Sequence, residues 1–516
     1  MRIGLMRDEP TSEDRMVPTP SHSIRSRHYQ NVGSALFLFA ARLLCAVIQL
    51  RLVDKWWGGA YTGLNALSNQ ILLYVTLLEL GLSQSAITLM YEPVLQRNFP
   101  RISAMVTAVR HDVRTMAICG AGFIIPILAT YAWFIHGSLP FWTVAGTLAT
   151  VASAGLIQLA AVHFQAYLNA AERLDKVNYT LAGGYLLKTM IGLSLAIYWH
   201  NYLLLPGVIA LLTIGEFLCL KLAFHHAFPG FSQVPWHQEA RRIRNRAKFV
   251  VIHKLAGLTY YQSDYIILSL TTSLLVVKDY AKFQYVSAAL LSLVGLVASA
   301  LTTSLARLQI RIDAENRRRQ YGEAQFAMCL IGAVLMLAFW FSASTVVSLA
   351  FGKTPTIKES SVLLFGIALF LNVVKTVDDV FIMAKGAFQV GYWIPVIEVP
   401  IYVVIGLTLS RRIGFSGILI ASICTNIAIS IFVKGLVLSG PVFDSTRRQW
   451  YVTRFLSMAK ALILVAPLVC MYIAAPHWLH NASLLALITD AAALIYLLAG
   501  LRLMLSSSTS GTEIAA

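Results

Sequence analysis

His225–Val250 reads HHAFPGFSQVPWHQEARRIRNRAKFV, the one long polar stretch inside an otherwise apolar chain. Six apolar segments precede it and eight follow. Its cations, Arg241, Arg242, Arg244, Arg246 and Lys248, place it on the cytoplasmic side, because Lys and Arg in short loops resist translocation. Their spacing also fits a short interfacial helix, with Ile243, Ala247 and Val250 at i, i+4, i+7 resting on lipid while the arginines reach anionic headgroups. A loop that serves only to set topology fits the same residues.

Composition fixes the class. Of 516 residues, 57% are hydrophobic and 13% charged, whereas soluble domains carry roughly 25% charged residues. An all-α, polytopic membrane protein is expected. The net charge of +17 does not imply nucleic acid, since the cations fall in loops on one side of the expected membrane. Cys45, Cys119, Cys219, Cys329, Cys424 and Cys470 lie in apolar segments with no CxxC and no His/Cys cluster. They read as small core residues, so neither a disulfide nor a metal site is expected.

Segments of about 20 apolar residues, enough to cross hydrocarbon as helix, fall near 30–53, 62–90, 113–134, 142–167, 179–199 and 203–224 before the polar stretch. After it they fall near 250–272, 281–306, 324–349, 359–383, 392–409, 415–439, 457–475 and 482–504, making about fourteen transmembrane helices. Residues 1–29 lack an apolar core of signal-peptide length and read as a disordered cytoplasmic tail. With that tail inside, inner loops and tails carry about 24 Lys and Arg against about 6 outside, so both termini are expected to be cytoplasmic. The implied organisation is an N-lobe over 30–224, a basic connector over 225–249, a C-lobe over 250–439, two further helices over 440–504 and a tail over 505–516.

A weak internal repeat supports two pseudo-symmetric six-helix lobes. GAYTGLNALSNQILLYV from Gly59 can be laid over KDYAKFQYVSAALLSLV from Lys278, matching Tyr61 to Tyr280, Asn65 to Gln284 and Ser68 to Ser287. Six helices per lobe is an even number. Both repeats then insert the same way, related by an axis along the membrane normal.

Ionisable groups at mid-membrane cost roughly 2.5–3.5 kcal/mol each and should face protein or a wet cavity. On the first helix Asn31, Ser34, Leu38, Arg42 and Gln49 form one stripe, with Arg42 about halfway down. Asn65, Asn69, Thr76, Glu79 and Ser83 share a face of the second, which also fits a polar interhelical seam. Lys188 lies mid-helix on the fifth segment and Glu216 is comparable on the sixth; Arg51, Lys221 and Lys434 lie near helix ends and are expected to snorkel. The seventh carries Lys254, Gly257, Tyr261 and Asp264 on roughly one face. On the tenth, Lys375, Asp378 and Asp379 stand at i, i+3, i+4, so Lys375 can neutralise one carboxylate and leave the other over, and Glu398 from the eleventh joins them at similar depth. A static buried salt bridge is the competing reading of that cluster. Adjacent residues on a helix point about 100° apart, so Asp378 and Asp379 make a poor metal pair. No P-loop, HExxH, GxSxG or glycine-rich dinucleotide fingerprint occurs, so neither catalytic residues nor a cofactor is expected.

The order of features resembles the Wzx-like polysaccharide flippases, the oligosaccharidyl-lipid branch of the multidrug/oligosaccharidyl-lipid/polysaccharide exporter superfamily. The similar stretches are YTGLNALSNQILLYVTLLELGLSQSAITLMYEPV from Tyr61, QSDYIILSL from Gln262, VVKDYAKFQYVSAAL from Val276 and RRIGFSGILIAS from Arg411. The resemblance implies two six-helix lobes around a central cavity that alternates its opening. It implies an undecaprenyl-pyrophosphate-linked oligosaccharide as cargo, moved from cytoplasmic to periplasmic leaflet of a bacterial inner membrane for O-antigen or exopolysaccharide biosynthesis. Coupling to a proton or sodium gradient is implied as well, with membrane lipids, a polysaccharide polymerase and a chain-length regulator as partners. A pyrophosphate crossing hydrocarbon needs cations, Arg best because its fork binds two oxygens. Depth and spacing nominate Arg42, Lys188, Lys254 and Lys375 for the headgroup. Gln49, Asn65, Asn69 and Tyr261 are candidates for the polar lining, and Glu79, Asp264, Asp378, Asp379 and Glu398 for coupling. A multidrug or small-solute cation antiporter, a membrane polymerase or glycosyltransferase, and a transport-inactive scaffold are the alternatives. The short outer loops weigh against the enzyme.

Overall fold

The structure is a computed structural model that describes residues 22–79, 81–137, 139–232, 234–308, 314–352, 357–385 and 390–474. Side chains are described for these except 22–29, 77, 125, 248–262, 296, 297, 299–308, 384, 468 and 471–474. The expected tail at 505–516, most of that at 1–29 and the expected span at 482–504 lie outside the described residues.

Sixteen α-helices make up the described chain. The first half contains α1 (His22–Trp56), α2 (Gly59–Thr76), α3 (Leu82–Leu95), α4 (Phe99–Ile135), α5 (Phe141–Ala160), α6 (Val162–Ala170), α7 (Leu174–Tyr198) and α8 (Leu204–Ala227). The second contains α9 (His237–Thr271), α10 (Leu274–Leu308), α11 (Ala314–Phe351), α12 (Glu359–Lys385), α13 (Ile394–Ile413), α14 (Phe415–Thr425), α15 (Lys434–Leu438) and α16 (Arg447–Ala474). Each expected span up to 457–475 coincides with a helix or a broken pair. Nine of the described helices are long and apolar enough to cross a membrane, and the chain is a multi-pass membrane protein.

Three expected spans are interrupted. The second gives way to a 3₁₀ turn at Leu77–Glu79, followed by Gly81 at φ 69°, a left-handed backbone that glycine adopts without a Cβ clash. The fourth is broken at Ala161. The twelfth passes through a π-helical stretch, Asn426–Val433, between α14 and α15.

Helix neighbours repeat between the halves. α1 packs on α7, α7 on α8, α4 on α5, and α5 on α2 and α8. Correspondingly α9 packs on α13, α13 on α14, α11 on α12, and α12 on α10 and α14. Under this exchange α2 and α10 map onto each other, and they pack directly together. The pseudo-twofold axis therefore runs between the two helices whose sequences align from Gly59 and Lys278. Contacts across the halves obey the same exchange, α9 meeting α2 and α4 where α1 meets α10 and α11. α16 is docked on α11.

The end of the bundle opposite the Arg-rich start of α9 holds the two halves together tightly. At Gly63 a Cβ would stand 1.9 Å from the carbonyl oxygen of Leu274, so only glycine allows α2 and α10 this close. Lys282 of α10, 2% exposed at its side chain, reaches Asp54 of α1 at 2.9 Å. Arg51 reaches the Leu349 carbonyl of α11 at 3.5 Å, and the Tyr131 hydroxyl of α4 meets Ser269 of α9 at 2.5 Å. Leu50, Val53, Leu64, Leu67, Leu274, Val277 and Ala281 form part of one apolar core there.

At the basic end α9 behaves differently from the sequence expectation. Ile243 (1% exposed) and Ala247 (4%) do not rest on lipid: with Ala240 they are buried in the apolar core of the first half, among residues of α3, α4, α6 and α8. Arg244 donates two hydrogen bonds to Asp112 of α4, at 2.7 and 2.5 Å. The periodicity was that of an amphipathic helix, and protein supplies its apolar partner in place of the bilayer. The side chain of Val250 lies outside the described residues.

The α2–α10 contact gives a direct test. Gly63→Ala should destabilise the protein by about 1–3 kcal/mol through overpacking, read as a lower midpoint of thermal unfolding. Gly33→Ala, where nothing lies within 4 Å of the added Cβ, should not.

Candidate functional site

Two of the four nominated headgroup cations come together in the first half. Arg42 of α1 lies over the ring of Tyr185 on α7, its guanidinium carbon 5.0 Å from the ring centre. Lys188, one turn further along α7, has its ammonium 5.9 Å from the same ring. Lys188 is buried and ion-paired with Glu216 of α8 at 2.6 Å. Gly184 makes room for that carboxylate, since a Cβ there would stand 1.7 Å from Glu216 Oε1. Arg42, in contrast, is exposed. A guanidinium stacked on an aromatic face keeps its in-plane N–H fork outward, which suits it to a phosphate or carboxylate.

The stripe on α1 that contains Arg42 is set by α7. Asn31 accepts from the Asp175 backbone N–H at 3.0 Å, Asn178 donates to Ser34 Oγ at 3.0 Å, and Leu38 packs with Ala182. Gln49 belongs to the same seam: it is buried and donates to Thr189 Oγ1 at 2.9 Å. Gln49 therefore satisfies a helix–helix contact here and does not line an open path. Its amide is consumed by a hydroxyl four residues beyond Tyr185.

Near the axis, Asn65 is buried on α2 and Asn69 lies within hydrogen-bonding reach of the Tyr285 hydroxyl of α10. The break at the 3₁₀ turn ends the helix at Thr76, so the expected stripe through Glu79 and Ser83 does not continue on one helix. The side chains of Lys254 and Tyr261 lie outside the described residues.

Asp264 of α9 is buried and its carboxylate accepts from two tyrosine hydroxyls, Tyr280 of α10 and Tyr402 of α13. Among the described residues no cation is paired with it. Tyr280 is the residue aligned with Tyr61 in the internal repeat, but the acceptor it serves was not legible from that alignment.

The cluster nominated on the tenth span is rearranged. Lys375 does not pair with Asp378 or Asp379; it meets Glu398 of α13 at 3.5 Å. Asp378 is fully buried, takes Arg454 of α16 at 2.6 Å and accepts from the Tyr321 hydroxyl of α11 at 3.0 Å. Asp379 takes Lys434 of α15 at 3.0 Å, so Lys434 is buried in an ion pair and does not snorkel. No carboxylate is left over. Spacing of i, i+3, i+4 permits a local pair, but side chains about 100° apart around α12 face different neighbouring helices, and each neighbour brings its own cation. Arg454 sits seven residues into a segment that starts polar, and nothing in the sequence marked it as buried.

Arg454 is therefore expected to be structural. Removing one partner of a buried pair strands the other charge at a cost of about 3–5 kcal/mol, so Arg454→Met should lower the thermal unfolding midpoint sharply. Adding Asp378→Leu should restore most of the loss; no recovery would contradict the pairing.

No protein-family model matches the chain, and no curated protein matches it by sequence. Solved structures do. A structure described as the lipid II flippase MurJ in an inward closed conformation superposes with a TM-score of 0.61 at 14% identity, covering 93% of this chain and 98% of that one. An inward-facing multidrug resistance MATE family transporter of the MOP superfamily superposes with a TM-score of 0.63 at 11% identity, covering 82% of this chain and 96% of that one. At such identities what is shared is the fold, and this chain has the polytopic helical fold of the MurJ and MATE structures.

Proposed function

We propose that the protein is a flippase for a lipid-linked oligosaccharide, with undecaprenyl-pyrophosphate as the carrier and an O-antigen or exopolysaccharide unit as the glycan. The observation that carries the reading is Arg42, exposed on Tyr185 beside the Lys188–Glu216 pair, within a fold that a lipid II flippase also has. The exposed fork is the group an anionic headgroup needs on entering the membrane. Lys188 then acts through its field and through the position of Tyr185, since it is already ion-paired with Glu216.

The basic end is assigned to the cytoplasm by the Lys and Arg in its loops, with both termini on that side and the bilayer a bacterial inner membrane. The tight end, where Gly63 meets Leu274 and Asp54 meets Lys282, is then periplasmic and closed. Transport requires those contacts to part as the halves rock about the α2–α10 axis. A cation antiporter of the same fold is the second reading. It is disfavoured because Asp378, Asp379 and Glu398 each carry a cation already, which leaves Asp264 as the nominated carboxylate of the second half without a described cation.

Coupling is assigned foremost to Asp264. A carboxylate whose side-chain partners among the described residues are two hydroxyls can take up a proton without stranding a described cation, whereas protonating Asp378 would leave Arg454 unpaired. Glu398 and Asp379 remain secondary candidates, since the Lys375–Glu398 contact is long and the Asp379 side chain is 43% exposed.

In reconstituted vesicles Arg42→Ala should slow pyrophosphate-lipid translocation about tenfold or more, the loss of a charge-assisted bond, and Arg42→Lys less. Normal rates for Arg42→Ala protein present at normal level would contradict the headgroup role. Asp264→Asn should fold, retain slow exchange and lose stimulation by an imposed ion gradient. Stimulation equal to that of the unsubstituted protein would reduce Asp264 to a structural acceptor for Tyr280 and Tyr402.

A further inference from the structure

A second anion-binding feature lies away from Arg42, on the first turns of α9. Trp236, His237, Ala240, Arg241, Arg244 and Asn245 line a shallow cavity of about 490 Å³. His237, Arg241 and Asn245 recur every four residues and Arg244 follows Arg241 at i+3, so one helical face supplies the polar atoms. Its walls are held by α4. His111 stacks on Trp236 with ring centres 4.2 Å apart, and the buried Asp112 orients Arg244 through two hydrogen bonds.

The charge around it is unbalanced. Asp112 is taken by Arg244, and Glu239 by Arg242 at 2.8 Å and Arg101 at 3.4 Å. Arg241 and Arg246 are exposed beyond these pairs, so cations outnumber carboxylates. Arg241 and Asn245 make no polar contact among the described residues. Repulsion between guanidiniums crowded on two turns is relieved by an anion, and a phosphate oxygen pair matches the fork of Arg241.

The level of the cavity says which phosphate. Leu95 (84% exposed) and Phe99 (44% exposed) flank Arg101, whose guanidinium reaches Glu239 on α9. Apolar side chains exposed to this degree suit contact with lipid at this end of the bundle, and α9 runs on without a break into the segment expected to cross the membrane. Trp236 at the rim is of the type enriched at membrane interfaces.

We propose that this cavity binds the phosphate headgroup of an anionic membrane phospholipid, with Arg241, Arg244 and Asn245 as its ligands. The site is separate from the proposed transport path and does not depend on the identity of the cargo.

The test uses the purified full-length protein in neutral detergent, titrated with dihexanoylphosphatidylglycerol and followed by the midpoint of thermal unfolding. The midpoint should rise saturably. Arg241→Gln with Asn245→Ala should weaken the apparent affinity at least tenfold, Arg241→Lys should retain part of it, and Arg412→Gln, exposed on α13, should leave it unchanged. Arg241 and Asn245 are exposed, so the double variant should fold. Three results would each overturn the site: equal binding by the double variant, an equal response to dihexanoylphosphatidylcholine, or an equal response to inorganic phosphate, which would make the ligand a soluble anion.

Discussion

Charge buried at membrane depth must be paired, and that requirement organises this bundle. An isolated ionised side chain in hydrocarbon costs roughly 2.5–3.5 kcal/mol. Here each pair has a buried cation and joins two different helices. Lys188–Glu216 ties α7 to α8, Lys375–Glu398 ties α12 to α13, Lys434–Asp379 ties α15 to α12, and Arg454–Asp378 ties α16 to α12. Asp54–Lys282 crosses between the halves. Three of these five pairs converge on α12 or its immediate partners, which accounts for the docking of α16 on the second half. A pair is poor evidence of net stability, but it is strong evidence of position, because moving either helix leaves a charge stranded.

The same requirement separates charges held in close ion pairs from the rest. Lys188, Lys375, Lys434 and Arg454 have carboxylate partners within 3.5 Å. Arg42 has an aromatic ring under it and an exposed fork. Asp264 has hydroxyl donors. Asp264, whose described side-chain partners are hydroxyls, can change its proton without leaving an opposite charge behind; it lies on α9 and Arg42 on α1, each the first helix of a half. Under the pseudo-twofold exchange these helices are equivalents, one presenting a cation and the other an acid.

Much of the architecture was legible in the sequence because helical spans and loop charge are local properties. The repeat from Gly59 and Lys278 pointed to two related halves, and the helices that carry Tyr61, Asn65, Tyr280 and Gln284 pack together, which places the axis between them. Partnership was not legible, because it is decided across helices. Lys375 stands one turn from Asp378 in sequence yet meets Glu398 in space. Arg454 gave no signal, lying near the polar start of α16. The 3₁₀ turn at Leu77–Glu79 was hidden in a run that is apolar apart from Thr76 and Glu79, with Gly81 the local mark that follows it, and it ends the helix that carries Asn65 before Ser83. Ile243 and Ala247 had the right period and a different apolar partner.

On the proposed reading, a bundle sealed at one end by Gly63 and Leu274 takes an anion at Arg42 in one half and responds to a cation at Asp264 in the other. The most direct test is a comparison of cargoes in proteoliposomes: a fluorescent polyprenyl-pyrophosphate oligosaccharide against the same oligosaccharide on an uncharged polyprenyl ether. Protein-dependent translocation of the pyrophosphate-linked lipid alone is the predicted result. Equal translocation of the uncharged lipid, or transport of an organic dye cation in place of either, would contradict it.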